Sequence, residues 1–250
     1  MRDMANKVPA VTLAFWIVKT LATTLGETGG DALSMQLNLG YLVSTAIFAA
    51  FLVVTLSAQI ASTRFSPVLY WLVIVATATV GTTTSDYLDR TVGLGYTVTS
   101  AILLAAVIVS LLTWRLVTGS ISVSNISTRR QEFFYWLTIL FSNTLGTALG
   151  DWLADTQGVG FAAGASVFAA GLLLVAALYY WTKLPHTVLF WTAFVLTRPF
   201  GATFGDVLTK PVADGGFALS RLMASAVLAG LMVLMILLSG RRAEKSPEAA

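Results

Sequence analysis

Four aspartates occupy matching places in the chain, Asp31, Asp86, Asp151 and Asp206, each fifteen residues after a tryptophan, at Trp16, Trp71, Trp136 and Trp191. Each closes a run of two small residues four apart: Gly26 and Gly30, Gly81 and Ser85, Gly146 and Gly150, Gly201 and Gly205. A carboxylate inside a membrane helix costs at least roughly 2.5–3.5 kcal/mol, so four at equivalent depth imply a shared need. Positions 16, 20, 24, 27 and 31 fall on one helical face. That face reads Trp16, Thr20, Thr24, Glu27, Asp31 in the first copy, with Thr79 and Asp86 following in the second and Thr144 and Asp151 in the third. If these helices line a common axis, the aspartates form a ring with Thr24, Thr79, Thr144 and Asn143 as a polar layer below it. Rings of acids attract cations.

Departures from the repeat mark a second set of groups. Lys19 and Glu27 occur only in the first copy, and Arg198, followed by Pro199, only in the fourth. A buried base requires an acid, and Arg198 with Glu27 or with a ring aspartate is the preferred pairing. Such a pair sets specificity, or it is a static tie that fixes helix register. The glycines have a purely structural reading as well, because small residues four apart let membrane helices approach closely. Glu27, Asp31, Asp86, Asp151 and Asp206 are the candidate metal ligands, and an all-oxygen set suits hard ions such as Mg, Mn, Ca, Na or K. The chain has no cysteine and a single histidine, His186, which argues against copper and zinc. No nucleophile–base pair, metal-ligand cluster or phosphate loop is evident, so neither catalysis nor a cofactor is expected. Asp89, Asp155 and Asp214 read as solvated turn residues, Asp89 pairing locally with Arg90.

The elements that position these groups follow from composition. Of 250 residues, 56% are hydrophobic and 11% charged, with a mean hydropathy of +0.80, whereas a soluble domain would carry nearer a quarter charged. The chain therefore reads as an all-α integral membrane protein, with the lipid bilayer as partner and no role in nucleic-acid binding. Crossing about 30 Å of hydrocarbon at about 1.5 Å per residue sets the span length. On that basis eight spans are predicted near 9–31, 38–59, 67–87, 95–117, 132–152, 159–182, 187–208 and 217–239. Each aspartate-bearing odd span is followed by an even span starting at Gly40-Tyr41, Gly95-Tyr96, Gly160-Phe161 or Gly216-Phe217, the last after one additional residue.

The repeats run over 9–59, 67–117, 132–182 and 187–239 within one membrane domain. A polar surface loop at 118–130 joins the halves, and a disordered tail occupies 240–250. Asp31 to Asp151 and Asp86 to Asp206 are the same shift of 120 residues, as from two successive doublings. Two spans per unit give all four copies one orientation, so the repeats are parallel and pseudo-symmetric about the membrane normal. Arg2, Lys7, Arg64, Arg115, Arg129, Arg130, Lys183, Arg241, Arg242 and Lys245 lie on the side of the termini, against Arg90 and Lys210 opposite. The excess of basic residues puts both termini in the cytoplasm and the aspartates toward the outer face. The first apolar run carries a copy of the repeat, so cleavage as a signal peptide is not expected.

With its four equally placed tryptophans and four G-x-x-x-[GS]-D endings, the chain resembles a family of bacterial membrane proteins built from four tandem two-span units. That family is the domain of unknown function 347 repeat, and the resemblance covers about residues 9 to 239. It implies an eight-span layout in the bacterial cytoplasmic membrane and transfers no catalytic residue. The residues themselves favour a transporter or channel for a small hard cation or protons. The alternatives are a carrier for a small organic solute, held by Lys19 or Arg198, and a non-transporting scaffold or sensor.

Overall fold

The computed structural model describes residues 7–123 and 126–244, and these contain eight α-helices and no strand. They are α1 (Leu13–Asp31), α2 (Gly40–Ala61), α3 (Pro67–Asp86), α4 (Tyr96–Thr118), α5 (Arg129–Asp151), α6 (Phe161–Trp181), α7 (His186–Thr209) and α8 (Arg221–Glu244). Local sequence sets several of their starts. Thr12 accepts the Phe15 amide, so α1 begins at residue 13 rather than near 9. Ser66 does the same for Leu69 ahead of Pro67, which needs no amide partner in the first turn. Thr128 and Gln131 form a reciprocal capping box that starts α5 three residues earlier than apolarity alone predicts.

The glycines opening the even helices have a backbone reason. Gly95 and Gly160 sit at φ +77° and +79°, where a side chain would be strained, and the following aromatic then enters the helix. Just after their aspartates, α1, α3 and α5 each widen into one π turn, at Ala32–Gln36, Tyr87–Thr91 and Trp152–Thr156. The fourth copy is followed instead by the 3-10 turn Val212–Asp214, within the stretch where that copy has its additional residue. Through Pro199, α7 stays continuous.

The odd helices form the interior. Against α3 and α7 packs α1, and α5 packs against the same two, so the four close a ring. Around it, α2 lies on α3, α4 on α5, α6 on α7 and α8 on α1. Each outer helix thus leans chiefly on the inner helix of the next unit. Long enough and apolar enough to cross a bilayer are α2, α3 with its π turn, α4, α6 and α8. The most apolar stretches of the outer four are only 17–22% buried, against 72% for α3, so their aliphatic surface faces lipid. Lys19, Glu27 and Arg198 lie in α1 and α7, and the hydroxyl-rich α5 carries Glu132; sheathed helices need not be apolar on every face.

Close approach within the ring is bought with glycine. A Cβ on Gly26 would strike Ala78, one on Gly146 would strike Arg198, and one on Gly201 would strike Thr23. On Gly81 it would lie 2.9 Å from the backbone of Asn143 and Thr144. The same glycine of each unit therefore seats on the residue three positions earlier in the next unit's register.

Two peripheral expectations change. Residues of the 118–130 linker are not wholly at the surface, because Val123 and Ile126 bury in the core and Trp191 Nε1 donates to the Ile121 carbonyl at 3.0 Å. Lys7, counted only as an orienting charge, is buried on Glu132 at 2.8 Å and on the carbonyls of Gln59 and Ile60. Helix α8 continues to Glu244; Arg2 and the rest of the expected tail, Lys245 to 250, lie outside the described residues.

Candidate functional site

The ring interior is layered. At one end the tryptophans and the residues before them, Phe15, Tyr70, Tyr135 and Phe190, interlock edge to face. The Tyr70 and Tyr135 hydroxyls share a hydrogen bond of 2.5 Å across α3 and α5. This aromatic layer closes the end nearer the chain termini.

One turn further in is Lys19, fully buried, at the register of Ile74, Ile139 and Phe194. Its Nζ has no hydrogen-bond partner and lies 3.5 Å from the centre of the Phe194 ring. Among the described residues no acid comes within ion-pair distance of Lys19, so only Arg198 of the two interior bases is paired.

Arg198 ties the ring together. From α7 its guanidinium meets Glu27 on α1 at 3.1 Å, Thr147 on α5 at 2.7 Å and Thr82 on α3. It also donates to the carbonyls of Thr23 and Ala78 at 3.3 and 3.4 Å. Thr82 and Thr147, each in Glu27's register, donate in turn to the same carboxylate oxygen at 3.2 and 3.3 Å. The expected hydroxyl layer is displaced by one turn. Thr24, Thr79 and Thr144 donate their hydroxyls to the carbonyls of Thr20, Val75 and Leu140 of their own helices. Asn143 donates to Thr77, and its Oδ1 is unpartnered.

The outer layer contains the four aspartates, all buried, but each has a base. Arg221 reaches Asp31 at 3.3 Å from α8, and Lys210 reaches Asp206 at 3.5 Å. Arg90 contacts both Asp86 and Asp151, at 3.2 and 3.1 Å. The Asp86 contact is one of charge alone, because its Oδ1 lacks hydrogen-bond alignment with the guanidinium. Arg90 is also held by the hydroxyls of Tyr96 and Tyr41 at 2.9 and 3.2 Å, and the Lys210 ammonium lies over Phe161. Burial pulls the Lys210 ammonium down, but the carboxylates of Asp206 and Asp31 outweigh that and hold it above its ordinary range. The aspartates are therefore not a bare anionic ring. Asp89 corrects a further expectation, being buried and accepting from Ser85 at 3.2 Å instead of pairing with Arg90.

Among the five candidate ligands, Glu27, Asp31 and Asp206 bring carboxylate oxygens within 4.8 Å of one another. Oxygens around a cation at about 2.3–2.6 Å are at most about 5 Å apart, so the trio has the spacing of a ligand set, while each member also meets a base, Arg198, Arg221 and Lys210 respectively. Asp86 and Asp151 stand outside the trio, tied by Arg90.

Arg90, Lys210 and Arg221 were not among the sequence candidates. A signal existed for two of them: Arg90 and Lys210 each follow their aspartate by four residues and are themselves 120 apart. Arg221 carried none, because its partner lies 190 residues away. Tyr70 and Tyr135 were legible as the residues before two repeat tryptophans.

A helical membrane protein of tandem repeats, with its charges gathered inside, is the class this arrangement defines. The chain belongs to the family named Repeat of Unknown Function (DUF347), whose model matches residues 14–65, 69–120, 134–184 and 189–244. No curated protein and no solved structure matches it.

Proposed function

We propose that the protein is a transporter of a small hard cation or of protons, and that its task is carriage rather than catalysis. The observation that carries this reading is the convergence of three buried carboxylates, Glu27, Asp31 and Asp206, inside a closed helical ring. Burying acids is costly, and a static fold would achieve the same packing with apolar residues more cheaply. The interior is sealed by the aromatic layer at one end and crossed by Arg198 at mid-depth, so a carrier that exchanges ion-pair partners fits better than an open channel. All eight helices span the membrane in this reading, as four parallel units about the membrane normal. The setting is the bacterial cytoplasmic membrane, with the termini inside.

In proteoliposomes, counterflow of sodium, potassium, calcium, magnesium or manganese should be present for the wild type and lost in Glu27→Gln and Asp206→Asn. Full flux in both variants, with folding intact, refutes the reading. One feature favours a second reading, a carrier for a small zwitterionic solute. A cavity of about 400 Å³ beside the aspartates is lined by Arg90, Asp155, Gly160, Phe161, Lys210 and Asp214, charges of both signs around a ring. Thermal stabilisation by amino acids or betaines, without cation flux, would favour it. Absence of both responses points to a scaffold.

A further inference from the structure

Lys19 has no place in the ion-pair network, although it is fully buried in the middle of α1. An ammonium has three donors to satisfy, and here none is satisfied. Contact with the Phe194 face offsets only part of the cost of taking the cation out of water. The surrounding elements supply no counter-charge. On α7 the group that acts on Lys19 electrostatically is Arg198, of like sign. At the corresponding register α3 and α5 offer Ile74 and Ile139, and their nearest titratable groups, Tyr70 and Tyr135, are bonded to each other. From α8 only Arg221 is titratable between residues 221 and 239, and it sits on Asp31. On α1 itself Glu27 is already taken by Arg198.

The network has a matching deficit. The ion pairs of the ring join five acids, Glu27, Asp31, Asp86, Asp151 and Asp206, to four bases, Arg90, Arg198, Lys210 and Arg221, while buried Asp89 stands outside them on Ser85. Arg90 serves two aspartates, so with Lys19 neutral one carboxylate of these pairs has no base of its own, and a protonated Lys19 supplies the fifth positive charge. We propose that Lys19 is the proton-binding residue of an exchange cycle, in which a proton on its Nζ and a monovalent cation at Glu27, Asp31 and Asp206 exclude each other. This rests on the transport reading above and names its coupling. A proton reaching Nζ places a second positive charge beside Arg198 and removes the deficit that held the cation, which leaves. Loss of that proton to the opposite side restores the deficit, and a cation is taken up. One proton moves against one cation, so charge balances over the cycle.

The test uses the full chain in proteoliposomes containing a pH-sensitive dye, with sodium and potassium as the cations. Wild type should move protons opposite to the imposed cation gradient. Lys19→Met, always neutral, should keep cation–cation counterflow while proton movement falls at least tenfold and flux loses its pH dependence. Lys19→Arg, always charged, should lose cation uptake. Lys19→Met places an apolar chain on Phe194, and an unchanged or raised Tm confirms that it folds. Proton movement of wild-type size in Lys19→Met overturns the inference, since the carboxylates would then carry the proton. Counterflow without proton movement in the wild type also overturns it but leaves the transport reading standing. Absence of counterflow in the wild type defeats the transport reading itself.

Discussion

Replacing Arg198 by methionine should be among the most damaging single changes in the chain. The side chain is fully buried, and its head group touches α1, α3 and α5. Methionine leaves the Glu27 carboxylate, itself 3% exposed, with only the hydroxyls of Thr82 and Thr147. Removing one member of a buried pair costs about 3–5 kcal/mol, because the other charge stays uncompensated. At about 2–4 °C per kcal/mol for a chain of this size, Arg198→Met should lower the Tm in detergent by roughly 6–20 °C. Glu27→Gln should do similar harm from the other side, stranding the guanidinium. Combining the two removes both charges at once. The double variant should therefore melt well above the sum of the single losses, with a coupling of about 1–3 kcal/mol in a double-mutant cycle. The measurement is a set of four melting curves followed by size-exclusion chromatography after heating. Strict additivity would refute the reasoning, since it would mean that the two groups do not depend on each other in the folded ring.

The glycine contacts make a contrasting pair. Gly81→Ala forces its methyl within 2.9 Å of the Asn143 and Thr144 backbone, where no side chain can yield, and should cost about 1–3 kcal/mol. Gly230→Ala on the exposed side of α8 meets nothing within 4 Å and should be neutral or slightly stabilising by thermal melting. At the aromatic end, Tyr70→Phe or Tyr135→Phe alone should destabilise by about 1–2 kcal/mol by leaving a buried hydroxyl single. The double phenylalanine should recover most of that loss, which a melting comparison of the three variants checks. Because Lys210 titrates higher in the folded protein than unfolded, its contribution to stability is full below about pH 10.4 and declines as pH rises beyond it. Lys210→Met should therefore flatten the alkaline limb of a Tm-against-pH curve and lower the neutral plateau.

Helix number and the inner role of the aspartate-bearing helices were legible because the repeat states them four times. The polar stripe could not be solvated by lipid, so it had to turn inward. Arg198 and Glu27 were legible as departures from that repeat. The bases over the aspartates were not, because Arg90 and Lys210 read as turn residues and Arg221 as part of an apolar helix. Their positions depend on which outer helix covers which inner one, and the pinwheel contact of α8 with α1 has no local sequence signal. Where the threonine hydroxyls point was not legible either. In a helix, a hydroxyl at one position commonly bonds the carbonyl four residues back, so sharing a face with an acid does not make it a ligand. Thr147 turns to Glu27 and Arg198 instead, and Thr82 meets those two as well as the Ala78 carbonyl four residues back. The linker misled through composition, Val123 and Ile126 being buried apolar residues among polar neighbours.

The seating of each outer helix on the next unit's inner helix bears on how the chain can assemble. No unit covers its own polar stripe: α1 emerges first carrying Lys19 and Glu27, and part of its cover, α8, is synthesised last. Phe194 and Arg198, which cover Lys19 and Glu27, lie in α7, and Arg221, which meets Asp31, lies in α8. The polar stripe of α1 is thus complete in its partners only once the last two helices are present. The same seam makes start and finish interchangeable in principle, since the contact between last and first units is of the kind that joins every other pair. A chain opened at the 118–130 linker and rejoined at its ends would meet the same neighbours in a different order of birth.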